Sequence, residues 1–506
     1  MRNMEDHIFS RYTDPETFAK IQGYSCITQM WNDSVESYRD AVALVDGQAY
    51  TYGQLDAKVA AFRHLLQQAG VKAGDVVGMY LPNCVEFAKA YLAITTMGAC
   101  AVLLPPHLDN MTVYGCSMKF GMKALVYSAA LEEKLDITKE KNPALPLLEG
   151  SQSSEKTAPA VMCPPQSVCT VLFTGGTTGR SKGAKLSHRA VMEGVKNGCY
   201  GIKDVFGQRY LLVLPLTHVF GLIRNLLTSL RTGSTLFICR NNKDMFRDMA
   251  VFKPTILVLV PALAEMALNL SKQLGRNMLG PDMKTIICGA AAVAPYLVTE
   301  YEKLGIRLLP GYGLTESANL VSGNPEALRK PDSVGFIYPG IDYKIVDGEL
   351  WLKGDTMMDG YVGDEENDIA YTPEGYFKTG DLVRIDEEGF LYITGRTKEI
   401  IVLSTGENIS PAELENYFYA MDEVQDCLVY ADDSESREVL AIQLLPRAAT
   451  VAKLGITDVE AYLKEKVAQV NEKLPAFQRI SKVIIRDSDF VRSPSLKIVR
   501  GQNGKS

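Results

Sequence analysis

The densest chemistry in the chain lies between Thr170 and His188, which reads TVLFTGGTTGRSKGAKLSH. A strand-like run, Thr170 to Phe173, leads into Thr174, Gly175, Gly176, Thr177, Thr178 and Gly179, and Lys182 follows three residues later. Glycines let successive backbone amides turn toward one anion, threonine hydroxyls add donors, and a lysine adds positive charge. Together these make a phosphate cradle. It is not a Walker A loop, because Arg180 stands five residues after Gly175 and Ser181, not glycine, precedes Lys182. A hairpin turn rich in small residues would also explain an isolated GTTG; the longer pattern points to phosphate.

Further motifs follow in order: LPLTHVFGL from Leu214, GYGLTES from Gly311, YFKTGDL from Tyr376, GRTKEIIVLSTGENISPAELE from Gly395 and SPSLKIVR from Ser493. With TGGTTGRSKG, this set resembles the adenylate-forming superfamily, which includes acyl-CoA synthetases, peptide-synthetase adenylation domains and beetle luciferases. The motifs extend from near Thr51 to Arg500, almost the whole chain. The TGGTTG and LSTGENISP wording is most similar to fatty acyl-CoA synthetases. The resemblance implies a two-step ligase: a carboxylate attacks the α-phosphate of ATP, giving acyl-AMP and pyrophosphate, and the thiol of CoA then displaces AMP. An anion meeting a polyanion must be helped mainly by positioning and by cations.

The resemblance also implies residue roles. Thr174 to Gly179 and Lys182 would hold the ATP phosphates, and Glu316 would hold Mg2+. Thr315 would donate to the α-phosphate, and Tyr312, between Gly311 and Gly313, would pack on adenine. Asp381 would accept both ribose hydroxyls, with Arg396 contacting ribose or phosphate. Lys398 occupies the hinge position and Gly406 the pantetheine-tunnel position. Lys497 corresponds to the catalytic lysine between the substrate carboxylate and the α-phosphate, although Leu496 precedes it where relatives have glycine. His218 matches an aromatic gate between the ATP site and the thiol tunnel.

Val219, Phe220 and Gly221, with Gly289, Ala290 and Ala291, correspond to the acyl pocket and its nucleotide border. Small side chains there leave space for substrate. An amino-acid substrate would need a buried acid to pair with its ammonium, and Leu214 to Ile223 contains none; Glu265 or Asp282 could approach from elsewhere. The expected substrate is therefore an apolar, fatty-type acid, with ATP, Mg2+ and CoA. Loading of an acyl carrier protein's phosphopantetheine is the alternative, and an amino-acid adenylating enzyme or a nucleotide-binding protein without chemistry lies further away.

These residues need a scaffold. From residue 51 helical and strand periods alternate, the mark of βαβ units around a parallel sheet. Leu55, Val59, Phe62 and Leu66 fall at helical spacing, and DVVGMYL from Asp75 reads as a buried strand. Residues 132–166 are polar and proline-rich, predicting a surface excursion or mobile loop. A second alternating set, LLVLPL, STLFIC, PTILVLV, KTIICG and IRLLPG, implies a second wound sheet. Tyr343 to Thr394 has short β runs with turn signals, suggesting an antiparallel, barrel-like unit. After Arg396 a smaller α+β piece begins, with Ser410-Pro411-Ala412-Glu413 offering a capping box. The expected architecture is α/β: an AMP-binding domain over 1–396 and a small mobile domain over 397–506.

Composition sets outer bounds. The chain has 506 residues, 46% hydrophobic and 22% charged, which is ordinary for a globular protein. Fifty-three basic against sixty acidic side chains leave a net charge of −7, with no general attraction for nucleic acid or an anionic membrane. Ten scattered cysteines without a CxxC pair, and only five histidines, read as free thiols in a reducing, cytoplasmic setting, not as a zinc site. No signal-peptide core or membrane-spanning run is evident.

Overall fold

The computed structural model describes residues 8–21, 23–174, 182–363, 370–402, 408–432, 439–492 and 498–503. Helix Tyr52–Gln68 illustrates how local signals place the elements. Thr51 and Gln54 close a capping box at its start, and Leu55, Val59, Phe62 and Leu66 lie on its buried face. Gly70 turns the chain at φ +81°, a conformation most side chains resist. Strand Val76–Tyr80 follows.

Among the described residues, that strand lies in a six-stranded sheet ordered Leu147–Glu149, Ala124–Tyr127, Val76–Tyr80, Cys100–Leu103, Val168–Thr174, Lys182–Ser187. The first five strands run parallel, and the last pairs antiparallel with Val168–Thr174 in a register that sets Thr174 opposite Lys182. Thr174 and Lys182, the described residues at the two ends of the glycine-threonine stretch, therefore pair with each other at the edge of the sheet. Residues 132–166 differ from expectation. They carry helix Asp136–Lys141 and strand Leu147–Glu149, and bury Leu145, Ala158 and Cys163. Strand pairing is made by backbone groups, so a short edge strand can form without a side-chain period.

The second sheet has nine strands among the described residues, with Arg307–Leu314, Thr285–Cys288, Ile256–Leu259, Arg209–Leu212 and Thr235–Ile238 at its parallel centre. Strand Val42–Asp46 joins it parallel to Thr235–Ile238, nearly two hundred residues away, a pairing that no local pattern announces. Beyond its other end, Asn319–Gly323 folds back antiparallel on Arg307–Leu314. A four-stranded antiparallel unit spans Ile341–Val346 to Leu391–Arg396. One apolar core runs through both large sheets, a further cluster around Tyr80, Val102, Leu125 and Val171 lies on the six-stranded sheet, and a separate core lies under Val424–Asp432, Val439–Pro446 and Lys482–Ile485.

Among the described residues, polar contacts join the small unit to the large one at the connecting turn, where Thr397 Oγ1 donates to the Gly380 carbonyl at 3.2 Å, and at two points beyond it. Ser410 precedes helix Pro411–Tyr419 as expected, but its hydroxyl does not cap the helix; Ser410 Oγ donates to the Thr394 carbonyl at 2.6 Å. A Cβ on Gly395 would lie 2.1 Å from that hydroxyl, so the glycine permits the approach. At the second point Arg447 donates to Glu265 Oε1 at 2.6 Å and to the Tyr296 hydroxyl at 3.0 Å, with its guanidinium over the Tyr296 ring.

Candidate active site

The segment Met358–Val362 brings two distant motifs together. Its backbone pairs with the hairpin strand Lys182–Ser187 through Lys185 N–H to the Gly360 carbonyl (3.0 Å) and Val362 N–H to the Gly183 carbonyl (2.8 Å), and Met358 N–H donates to the Glu316 carbonyl (2.8 Å). Tyr361, in the middle, places its ring 4.9 Å from Lys182 Nζ and donates its hydroxyl to Glu316 Oε1 at 2.6 Å. A lysine, a phenol and a carboxylate thus form one row beside the glycine-threonine hairpin. Glu316 sits in the single turn Thr315–Ser317, with Thr315 half-buried beside it.

A second group sits at the border between strands. Asp381 lies opposite Arg396 in the antiparallel ladder and is 2% exposed. Arg396 Nε donates to its Oδ1 at 2.6 Å, and the Tyr312 hydroxyl donates to its Oδ2 at 2.5 Å. Burial and the adjacent Asp381 raise the Tyr312 phenol well above its ordinary pKa, so it stays a donor. Burial opposes the Arg396 charge, but Asp381 outweighs it and the guanidinium is held above its usual value. The two partners occupy part of the carboxylate's capacity, since two oxygens offer about four lone-pair sites.

On the other side of Tyr312, backbones crowd together. A Cβ on Gly313 would lie 1.8 Å from the Asn319 carbonyl oxygen, and one on Gly289 would lie 2.9 Å from that of Gly311 and 3.6 Å from the Phe220 ring. Gly221 packs against the Pro215 carbonyl, where a Cβ would come within 2.1 Å. Phe220, Gly221, Gly289 and Gly311 are therefore brought into one wall, with Val219 buried behind it. His218 is half-buried and its Nδ1 accepts from Phe220 N–H at 3.3 Å. Ala290 follows Gly289 at φ +67°, Ala318 and Asn319 are also left-handed, and Ala291 is exposed. Such backbone outliers gather where a site demands them.

The two acids that could have served an ammonium are engaged elsewhere, Glu265 by Arg447 and Asp282 by Arg209 at 2.7 Å. The acid-free segment Leu214 to Ile223 stops one residue short of Arg224, a buried cation that the sequence reading did not weigh. Its signal was a lone arginine within the apolar run GLIRNLL. Tyr361 was missed as well, since only the fold carries it to Glu316. Lys398 is exposed in the turn Thr397–Glu399. Gly175, Gly176, Thr177, Thr178, Gly179, Gly406 and Lys497 lie outside the described residues.

A divalent cation fits Glu316. Its Oε1 is taken by Tyr361, while its Oε2 accepts no hydrogen bond among the described residues. No group of three His, Cys, Asp or Glu gathers among the described residues. One carboxylate oxygen completed by water and phosphate oxygens is how Mg2+ is commonly held beside a nucleotide.

Among the described residues no helix is long and apolar enough to cross a membrane. Comparison with known proteins agrees with the geometry. The chain is 28% identical to a peroxisomal OPC-8:0-CoA ligase of Arabidopsis thaliana over 92% of its length and 91% of the relative's. It is 26% identical to the long-chain-fatty-acid–CoA ligase FadD13 of Mycobacterium tuberculosis, over 89% and 92% of the two chains. The fold superposes on the anthranilate CoA ligase AuaEII in complex with anthranoyl-AMP with a TM-score of 0.83, at 18% identity, covering 96% and 97% of the two chains. Residues 31–362 match the AMP-binding enzyme family and residues 398–505 its C-terminal domain. The chain therefore belongs to the AMP-binding enzymes, the acid–thiol ligases of the adenylate-forming superfamily.

Proposed function

We propose that this protein activates a carboxylic acid with an apolar body in two steps, first to acyl-AMP with release of pyrophosphate, then to acyl-CoA with release of AMP. The observation that carries the reading is the row Lys182, Tyr361, Glu316 beside the hairpin, with the Tyr312–Asp381–Arg396 group on the adjoining strands. The names of the two CoA-ligase relatives support the acid class, and the glycine wall at Gly221 and Gly289 supports an apolar body.

In the first step a carboxylate oxygen forms a bond to the α-phosphorus and the bond from that phosphorus to pyrophosphate breaks. Lys182 and the amides of Thr174 to Gly179 take the phosphates, Thr315 donates to the α-phosphate, and Asp381 with Arg396 fixes the ribose. Tyr312 lies against the base while its hydroxyl holds Asp381 in place. Lys497 would bridge carboxylate and phosphate. Glu316, oriented by Tyr361, holds Mg2+; when bound, the ion offsets charge on the phosphate oxygens. In the second step the CoA sulfur attacks the acyl carbon and AMP leaves. Lys398 is the hinge for movement of residues 397–506 over 1–396, Gly406 lines the path of the thiol arm, and His218 borders it, with Gly311, Gly313, Ala290 and Ala291 framing the space between.

ATP–pyrophosphate exchange across a panel of acids, followed by AMP release with CoA or with a phosphopantetheinylated carrier protein, tests this. Exchange with aliphatic acids and thioester formation with CoA are expected. Exchange with amino acids alone overturns the acid class, and thioester formation with the carrier protein alone overturns the acceptor.

A further inference from the structure

Each buried charged side chain among the described residues has a partner within the chain, with one exception. Asp46 pairs with Arg240, Asp248 with Arg247, Glu415 with Arg500 and Asp432 with Lys482, while Arg63, Lys89 and Arg231 donate to carbonyls. Arg224 is 1% exposed; among the described residues it makes no ion pair, its Nε and Nη1 have no hydrogen-bond partner, and the Tyr210 phenol that interacts with it is neutral. A guanidinium cannot shed its proton to escape burial, so leaving one uncompensated is costly. Something the chain does not supply must answer it.

The surroundings narrow what that is. Both amide atoms of Asn197, both of Asn225, and the hydroxyls of Tyr200 and Tyr210 are buried and unpartnered as well. The groups that feel the Arg224 charge, Cys199, Tyr210 and Tyr338, are neutral. Beside Arg224 lies a cavity with about 20 Å³ of room for the centres of water-sized groups, lined also by Tyr200, Ile287, Gly311, Leu320 and Tyr338. That is space for one or two small polar groups, and of the unpartnered side chains Arg224 and Tyr200 line it. A carboxylate answers an arginine with two oxygens at once.

The cavity abuts the acid site. Gly311 lines it, and the Gly311 carbonyl is the atom against which Gly289 packs. Arg224 lies six residues after His218, on the π-helix Phe220–Leu227, whose first residues form the acid wall. Single π turns often occur at functional sites.

We propose that Arg224 is a specificity residue at the far end of the acid site, and that the acid activated here is a dicarboxylic one whose second carboxylate pairs with it. This deepens the proposed function and rests on it: the apolar body lies along Phe220, Gly221 and Gly289, and both ends of the substrate are anionic.

The test uses the full chain, ATP–pyrophosphate exchange, and matched straight-chain monocarboxylic and α,ω-dicarboxylic acids of graded length. At one length the diacid should exceed the monoacid in kcat/KM by roughly ten- to a hundredfold, the usual range for a hydrogen bond to a charged partner. Arg224→Met should abolish that preference and Arg224→Lys should keep part of it. Diacids should also raise the melting temperature of the wild type but not of Arg224→Met. If Arg224→Met does not fold, the wild-type preference and Arg224→Lys decide. Monoacids preferred by the wild type, with the ratio unchanged on substitution, overturn the proposal and leave Arg224 a hydrated structural group while keeping the ligase. Diacid-specific stabilisation without exchange on any acid overturns the ligase reading and keeps the anion site.

Discussion

Asp381 and Arg224 are both buried charges in the large domain, 2% and 1% exposed, and they are provided for in opposite ways. Asp381 receives Arg396 and Tyr312 from two different strands before any nucleotide arrives. Arg224 receives no carboxylate among the described residues, its Nε and Nη1 are unpartnered, and the phenols beside it are neutral. The first group is preorganised: its partners fix geometry ahead of the reaction, which is where electrostatic catalysis gains most. The second is incomplete, and a site that lacks a partner discriminates by what supplies one. On the proposed function, the contrast would separate the part of the molecule that handles an invariant ligand from the part that selects a variable one.

The largest expected effect breaks the preorganised side. Asp381→Ala should lower kcat/KM for ATP–pyrophosphate exchange by on the order of a hundredfold or more, read directly in that assay with saturating acid. An unchanged rate would remove Asp381 from the nucleotide site.

Next comes a titration. Helix His188–Asn197 begins at a satisfied buried residue and ends at unpartnered Asn197. His188 Nδ1 accepts from Ile27 N–H, and burial lowers its pKa from 6.5 to about 4. The unfolded chain then binds more protons than the folded one between these values. The stabilisation is complete above about pH 6.5 and is lost as pH falls through 4, by roughly 3 kcal/mol. Denaturant melts from pH 7 to 4 should show this slope, and a folded His188→Asn variant should lack that component.

A smaller effect is expected at Tyr361. Tyr361→Phe removes one hydrogen bond to Glu316, worth about 1.5–3 kcal/mol for a charged acceptor. The loss should appear as a raised Mg2+ requirement in the exchange assay, with the fold intact by circular dichroism. Equal Mg2+ dependence in both proteins would show that Glu316 needs no orienting phenol.

The smallest effect separates the two clusters by stability alone. Arg224→Met should leave the melting temperature of the ligand-free protein unchanged or raised, because an uncompensated charge leaves the interior. Arg447→Met, which removes a cation already paired with Glu265 and Tyr296, should lower it. A loss at Arg224 as large as that at Arg447 would mean the two are built alike.

Much of this was legible from residue types. The strands around Thr170 and Val76, the helix from Tyr52 and the β unit near Asp381 followed from period and turn chemistry, because those signals are local. The capping box at Ser410 was read and did not form: a carbonyl from another strand competes for the same hydroxyl. Strand Leu147–Glu149 went unread because backbone pairing left little trace in its side chains. Arg224 was passed over because a lone cation in an apolar run carries no pattern, only a context.

The motif order by itself determined the family and the reaction type, since phosphate cradling and carboxylate placement depend on residue kinds at fixed short spacings. The tertiary structure alone decided which charges meet. It set Tyr361 between Lys182 and Glu316, gave Arg396 and Tyr312 to Asp381, turned Glu265 and Asp282 away to arginines, and left Arg224 without a carboxylate among the described residues. Pairing between residues tens to hundreds of positions apart depends on how sheets stack and where segments cross, and a buried charge reveals its need only once its neighbours are in place.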